Sequence, residues 1–267
     1  MIVFPNAKIN IGLNVVSRRS DGYHNLETIF YPVQLSDALE MVPSEETALS
    51  LSGISIDGDN ADNLVLKAYQ MLQADFDLPP LHFHLHKIIP AGAGLGGGSS
   101  DAAFALRMMN DYFQLHLSSE TLIKYAANLG ADCAFFIQNK AAFATGTGNQ
   151  LHDIEIDISE YEIIIAKPHL SVSTPEAYAG IIPKAPEFDL EELKSIPVEN
   201  WKEVVVNDFE RNVFQKYPEI KKIKEDMYQM GALFASMSGS GSAVFGIFRH
   251  SPTNPEKFLP RGIFIYR

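Results

Sequence analysis

Residues 90–100 read Pro90-Ala91-Gly92-Ala93-Gly94-Leu95-Gly96-Gly97-Gly98-Ser99-Ser100. Five glycines crowd this short stretch, removing the Cβ atoms that keep a ligand away from main-chain N–H groups. Upstream, Leu81, Phe83 and Leu85 alternate with His82, His84 and His86, the pattern of a strand. Downstream, Ala102, Ala105, Leu106 and Met109 fall at i, i+3, i+4 and i+7, which predicts a helix starting near Ser99 or Ser100. A glycine loop between a strand and a helix start is suited to an anion. Backbone amides converge on it, the helix dipole adds positive potential, and the two serines add hydroxyl donors. At Gly97 a β-branched side chain is expected to block that approach and to resist a positive φ. The competing reading of the stretch is a plain turn.

The loop is not a Walker A motif, because no Gly-Lys-Ser/Thr follows it. Gly92 to Gly97 satisfies G-x-G-x-x-G, a weak pattern alone. A dinucleotide site asks for a fully buried strand before the loop and an acidic residue ending the next strand. Here the strand is half polar and the following region is helical. The V-A-I-K, H-R-D and D-F-G elements of protein kinases are absent from the sequence.

Outward from the loop, Ala7, Ile9, Ile11, Leu13 and Val15 alternate with Lys8, Asn10, Gly12 and Asn14 in an N-terminal strand. Ser20-Asp21-Gly22 reads as a turn, and Leu26–Val33 as a strand pairing back. Helical spacing recurs at Leu64, Ala68, Met71 and Leu72, at Leu122, Tyr125, Ala126 and Leu129 before Gly130, and at Ile220, Ile223, Met227 and Met230 before Gly231. Tyr161–Ala166 reads as a strand, Ile181–Val198 as a peripheral Pro- and charge-rich segment, and Ser236–Phe248 as a small-residue loop leading into a strand. This mixture, without regular βα alternation, predicts an α+β fold divided near residues 150–160. The expected domains are 1–155 and 156–267.

The 267 residues are 46% hydrophobic, enough for a core without staples. The single cysteine, Cys133, excludes an internal disulfide and fits a reducing cytoplasm. The N-terminus lacks the pattern of a signal or transit peptide, and no apolar run approaches a membrane span. A formal net charge of −12 argues against nucleic acid as a partner, and it requires an anionic ligand to be held by local features.

Taken alone, Lys8 reads as a solvated lysine and Asp132 as a turn or cap residue. Beside a phosphate loop both change meaning, because phosphoryl transfer needs a positioned cation and a carboxylate near the acceptor hydroxyl. The loop Ser236-Met237-Ser238-Gly239-Ser240-Gly241-Ser242 is either an ordinary connection or a surface admitting close approach to ligand. His82, His84 and His86 raise the question of zinc. The outer pair is about 13 Å apart along a strand, too far to share a metal at bonds of about 2 Å, and a solvated polar face is the expected state. No dedicated metal site is expected.

Three of these segments together resemble the GHMP kinases, a family of small-molecule kinases. They are Ala7–Asn14, Pro90–Ser100 and Met237–Gly241, in the family's order. Lys8-Ile9-Asn10 with Arg18–His24, Leu95–Asp101, Gly130–Asp132 and Ser173–Pro175 followed by Tyr178 resemble one branch of it, whose substrate is a cytidine diphosphate-linked methylerythritol. The resemblance implies a two-lobed fold: an N-terminal ribosomal-S5-like, ATP-binding domain and a C-terminal ferredoxin-like domain, with the active site in the cleft. It implies ATP as phosphoryl donor, Mg²⁺ with it, Asp132 as base and Lys8 as its partner. It further implies that Tyr23, His24 and Tyr178 hold the cytosine, that Asn10, Thr174 and Gly239 meet the substrate, and that Asn63 lies near the adenine. Rivals are a GHMP kinase for homoserine or a mevalonate-type substrate, which has no cytosine to stack, and a non-catalytic nucleotide-binding module, which needs neither Lys8 nor Asp132.

Overall fold

The computed structural model describes residues 1–56 and 59–267. The chain packs as two compact units. The first comprises Met1–Lys8, Pro32–Ala91 and Gly96–Lys140; the second comprises Ile9–Tyr31, Gly92–Leu95 and Ala141–Arg267.

In chain order the strands are β1 (Ile2–Val3), β2 (Asn6–Arg18), β3 (His24–Ser36), β4 (Ala38–Pro43), β5 (Ala48–Gly53), β6 (Leu81–Lys87), β7 (Ala142–Thr145), β8 (Gln150–Asp153), β9 (Glu162–Lys167), β10 (Phe234–Met237), β11 (Val244–Phe248) and β12 (Phe264–Tyr266). The helices are α1 (Leu64–Asp75), α2 (Gly97–Tyr112), α3 (Ser119–Leu129), α4 (Cys133–Gln138), α5 (Thr174–Tyr178), α6 (Trp201–Val204), α7 (Glu210–Lys216) and α8 (Pro218–Gln229). The α+β reading holds.

In the first unit one sheet runs in the order β1-β4-β6-β5. Strand β6 pairs antiparallel with β4, setting Leu85 opposite Leu39, and parallel with β5, setting Leu85 opposite Leu51. Leu81, Phe83 and Leu85 point into the core as the alternation requires. Tyr69 of α1 meets the Phe83 ring edge-on, which ties that helix to the sheet. The outward histidines pair with serines of β5: His82 Nε2 lies 2.8 Å from Ser50 Oγ, and His84 Nε2 is at the same distance from Ser52 Oγ.

The second unit holds two sheets, β2-β3-β7-β8 and β10-β11-β9-β12. Its core gathers Leu13 and Val15 of β2, Ile164 and Ala166 of β9, Val244 and Phe248 of β11, and the α8 stripe Ile220, Ile223 and Met227. Gly231 adopts φ +96 just beyond α8, a left-handed stop that suits glycine. Gly130 follows α3 in an extended conformation with φ 174, so it ends that helix without needing to be glycine.

Two expectations are corrected. The segment 181–198 is not peripheral: Leu190 and Leu193 are fully buried, and a Cβ on Gly12 of β2 would strike Leu190. Its charged residues face water while two leucines at i, i+3 spacing anchor it. Strand β2 is covered on both faces rather than on one, with every residue from Ala7 to Val15 buried. Lys8, Asn10 and Asn14 are therefore not solvated.

Candidate active site

Within the first unit, Lys8 Nζ lies 3.4 Å from Asp132 Oδ2, with the lysine side chain 4% and the aspartate side chain 31% exposed. Asp132 precedes α4, yet its carboxylate makes no capping hydrogen bond, so the cap reading does not describe it. It faces Lys8 and solvent instead. Gly96 is left-handed at φ +71, and a Cβ there would sit 3.2 Å from Lys8 Cε and 3.0 Å from the Phe136 ring. Glycine lets the loop lie close over the lysine stem. The neighbouring Cys133 thiol is pushed up to about 11 by burial, which removes it as a nucleophile.

Helix α2 begins at Gly97, two or three residues earlier than the apolar spacing predicts. The apolar stripe marks where a helix needs a core, and two glycines carry the first turn before that. The expectation for Gly97 is corrected. Its φ is not positive, and an added Cβ would point inward, 2.9 Å from Ile89 Cγ2 and 3.3 Å from Lys87 Nζ. Gly98 is the exposed one, with no atom within 4 Å of an added Cβ.

Beneath this turn lies a buried charge cluster. Lys87 Nζ donates to Asp37 Oδ2 and, at 2.7 Å, to Asp101 Oδ2. Asp37 Oδ1 also accepts from the N–H groups of Ile88 and Ile89. Asp101 Oδ1 has no hydrogen-bond partner, and burial raises the Asp101 carboxyl to about 7. Asp101, with a single donor and an unpartnered oxygen, is a carboxyl that takes a proton.

In the second unit the two small-residue loops touch main chain to main chain. Gly94 has φ +75, and a Cβ on it would collide with the Ser238 carbonyl. Ser238 Oγ donates to Gly94 O at 2.8 Å and accepts from the Asn10 N–H at 3.2 Å. Ala243 N–H donates to Ala93 O at 3.1 Å. Asn10 Nδ2 donates to Thr28 Oγ1 at 3.0 Å, and Thr28 Oγ1 donates to Gly12 O. Gly239, at φ +55, lies against Asn10 Oδ1. The residues 236–242 are thus not a generic connection: they buttress the loop at 92–95.

Of the three aromatic residues expected around a cytosine, His24 stacks on Tyr178, with ring centroids 4.8 Å apart and planes at 18°. Tyr23 is 67% exposed beside the turn at Gly22. Thr174 is exposed at the start of α5, behind a capping box of Ser173 and Glu176. In the first unit, Asn63 caps α1, its Oδ1 accepting from Val65 N–H at 2.9 Å.

Sequence reasoning missed Lys87, Asp37, Thr28 and Asn207. Lys87 carried a usable signal, since it shares the alternating register of Leu81, Phe83 and Leu85, and a lysine on a buried face needs counter-charges. Asp37 and Asn207 sit far along the chain from the groups they serve.

The GHMP kinases N terminal domain model matches residues 63–147, and the GHMP kinases C terminal model matches residues 181–258. A Parabacteroides distasonis protein named 4-diphosphocytidyl-2-C-methyl-D-erythritol kinase is 52% identical over 264 residues, 99% of this chain and 96% of its own length. A Cytophaga hutchinsonii protein of the same name is 49% identical over 97% of this chain and 95% of its own length. A crystal structure of 4-(cytidine 5'-diphospho)-2C-methyl-D-erythritol kinase superposes with TM-score 0.80 at 33% identity, covering 92% of this chain and 90% of the other. Homoserine kinase from Cytophaga hutchinsonii superposes with TM-score 0.66 at 15% identity, covering 98% of this chain and 94% of the other, a likeness of fold alone. With motifs, fold and full-length relatives in agreement, the chain belongs to the GHMP kinase family.

Proposed function

We propose that the protein transfers the γ-phosphoryl group of ATP to the 2-hydroxyl of 4-diphosphocytidyl-2-C-methyl-D-erythritol, a step in non-mevalonate isoprenoid precursor synthesis. The observation that carries the reading is the Lys8–Asp132 pair in a chain half identical, end to end, to relatives of that name. In this reaction the substrate hydroxyl oxygen bonds to the γ-phosphorus while the bond to the bridging oxygen of ADP breaks. The hydroxyl proton passes to Asp132. An ordinary carboxylate is a poor base for an alcohol, but in a loose transition state the proton leaves late, so Asp132 chiefly orients the hydroxyl. Lys8 neutralises charge on the phosphoryl group in flight.

The amides and hydroxyls of Pro90–Ser100 hold the phosphates, and Asn63 lies near the adenine. Tyr23, His24 and Tyr178 receive the cytosine; Asn10, Thr174 and Gly239 meet the rest of the substrate. Mg²⁺ accompanies ATP and offsets phosphate charge. No three His, Cys, Asp or Glu side chains converge among the described residues, so phosphate oxygens and water are its expected ligands. Residues 1–155 form the ATP-binding domain in this reading and 156–267 the C-terminal one. No helix among the described residues is long and apolar enough to cross a membrane, and the cytoplasm is the proposed location.

A coupled ADP-release assay with the cytidylyl substrate beside homoserine and mevalonate tests the proposal. Turnover of the cytidylyl compound alone is expected. Preference for either of the others overturns it.

A further inference from the structure

Four consecutive residues of the second unit, Asn207-Asp208-Phe209-Glu210, grip the surroundings of both the glycine loop and the aromatic pair. Asn207 is buried, and its Nδ2 donates to Met237 O at 2.8 Å and to Gly239 O at 2.9 Å. Those carbonyls bracket Ser238, which holds Gly94. The Asn207 Oδ1 accepts from Phe209 N–H at 3.0 Å. Glu210 works on the same loop from its other side: its Oε1 accepts from Met237 N–H at 2.9 Å and from Ser236 Oγ at 3.1 Å, and its Oε2 receives Lys224. Asp208 Oδ2 accepts from Val15 N–H at 2.7 Å, and Asp208 N–H donates to Leu13 O, fixing the strand that carries Asn10. Phe209 meets the Tyr178 ring edge-on at 4.8 Å, on the ring that stacks with His24.

We propose that Asn207–Glu210 is a positioning element serving both ligands, the nucleotide and the acceptor substrate. Asn207 and Glu210 set the loop at 237–239 and through it the phosphate loop; Phe209 sets the plane of Tyr178. The second half rests on the proposed cytidylyl substrate. Core packing alone does not account for the polar half. Filling a core requires no side-chain amide with both donors and its acceptor engaged on one loop and its own turn.

The geometry gives different kinetic signatures to two residues two positions apart. Asn207→Asp keeps the shape but removes both donors and turns a carboxylate toward two carbonyls. It should weaken ATP binding, read by calorimetric titration in the absence of the acceptor substrate, by about ten-fold or more, and raise the cytidylyl KM as well, because Asn207 also holds Gly239. Asn207→Ser retains one donor and should fall between, and it carries the same test if Asn207→Asp does not fold. Phe209→Leu removes the ring edge and should raise the cytidylyl KM by about ten-fold with ATP binding unchanged; Phe209→Tyr should restore it. Wild-type ATP affinity in Asn207→Asp, or weakened ATP binding in Phe209→Leu, overturns the proposal, whatever the change in melting. A wild-type enzyme inert toward the cytidylyl substrate would sink the proposed substrate and the Phe209 half with it. ATP titration of Asn207→Asp would still decide the other half.

Discussion

Gly94 and Ser238 lie main chain against main chain, so the place of a Gly94 side chain is taken by the Ser238 carbonyl. Gly94→Ala therefore incurs both a left-handed φ and a backbone clash. The strained conformation alone costs about 1–3 kcal/mol, and for a chain of this size each kcal/mol lowers Tm by roughly 2–4 °C. Calorimetric melting should show that loss together with weakened ATP binding. Gly98→Ala is the contrast: its Cβ enters open space and removes the flexibility of a helical glycine. Tm should hold or rise while ATP affinity falls. Unchanged ATP affinity there would remove Gly98 from the phosphate site.

Asp132→Asn preserves size and loses both the charge and the proton-accepting oxygen. Turnover should drop by at least about a thousand-fold, the upper range for a positioned base together with its electrostatic effect, with ATP affinity close to wild type. Asp132 caps nothing, but losing its attraction to the buried Lys8 should lower Tm somewhat, so turnover is read on folded protein. Turnover within a few-fold of wild type would exclude it as base.

Tyr23 is exposed, so its removal cannot act through the core. If its ring stacks on the cytosine, Tyr23→Ala should raise the substrate KM by about ten-fold to a hundred-fold, the range set by a stacking energy of roughly 1–3 kcal/mol. Tm and ATP affinity should stay put. A wild-type KM would leave the base to His24 and Tyr178, the rings already in contact.

Asp101 makes stability depend on pH in an unusual direction for a carboxylate. Its folded value, about 7, lies above the usual carboxylate value of the unfolded chain, because burial disfavours the charged form and outweighs the attraction of Lys87. The protonated acid is thus favoured by folding. Its contribution is full below the unfolded pKa and is lost as pH rises through about 7. Asp101→Asn, which mimics the neutral acid, should flatten that decline and match or exceed wild-type Tm at pH 8. A wild-type and variant pair with parallel Tm-against-pH curves from 5 to 8 would refute the assignment.

The site was unevenly legible in the sequence, for physical reasons. The tight course of the Pro90–Ser100 loop could be read because close backbone approach leaves glycines behind, and the pairing of Lys8 with Asp132 followed once that loop supplied a chemical context. Leu190 and Leu193 were obscured by the prolines and glutamates around them, although two apolar residues suffice to anchor a short turn. The contact of His24 with Tyr178 was not legible, because spacing along a turn does not say which ring folds inward. Asp37 and Asn207 left no local trace, since each serves groups brought near it only by the fold.

The hydrogen bond from Asn10 N–H to Ser238 Oγ spans 228 residues of chain. At ribosomal speeds of about 5–20 residues per second, the later partner emerges roughly 10–50 s after the earlier one. For most of that interval, until residues 190 and 205–208 have been made, strand β2 lacks the residues that cover it. Synthesis halted before residue 237 yields a chain with its glycine loop complete in sequence and lacking the buttress that shapes it.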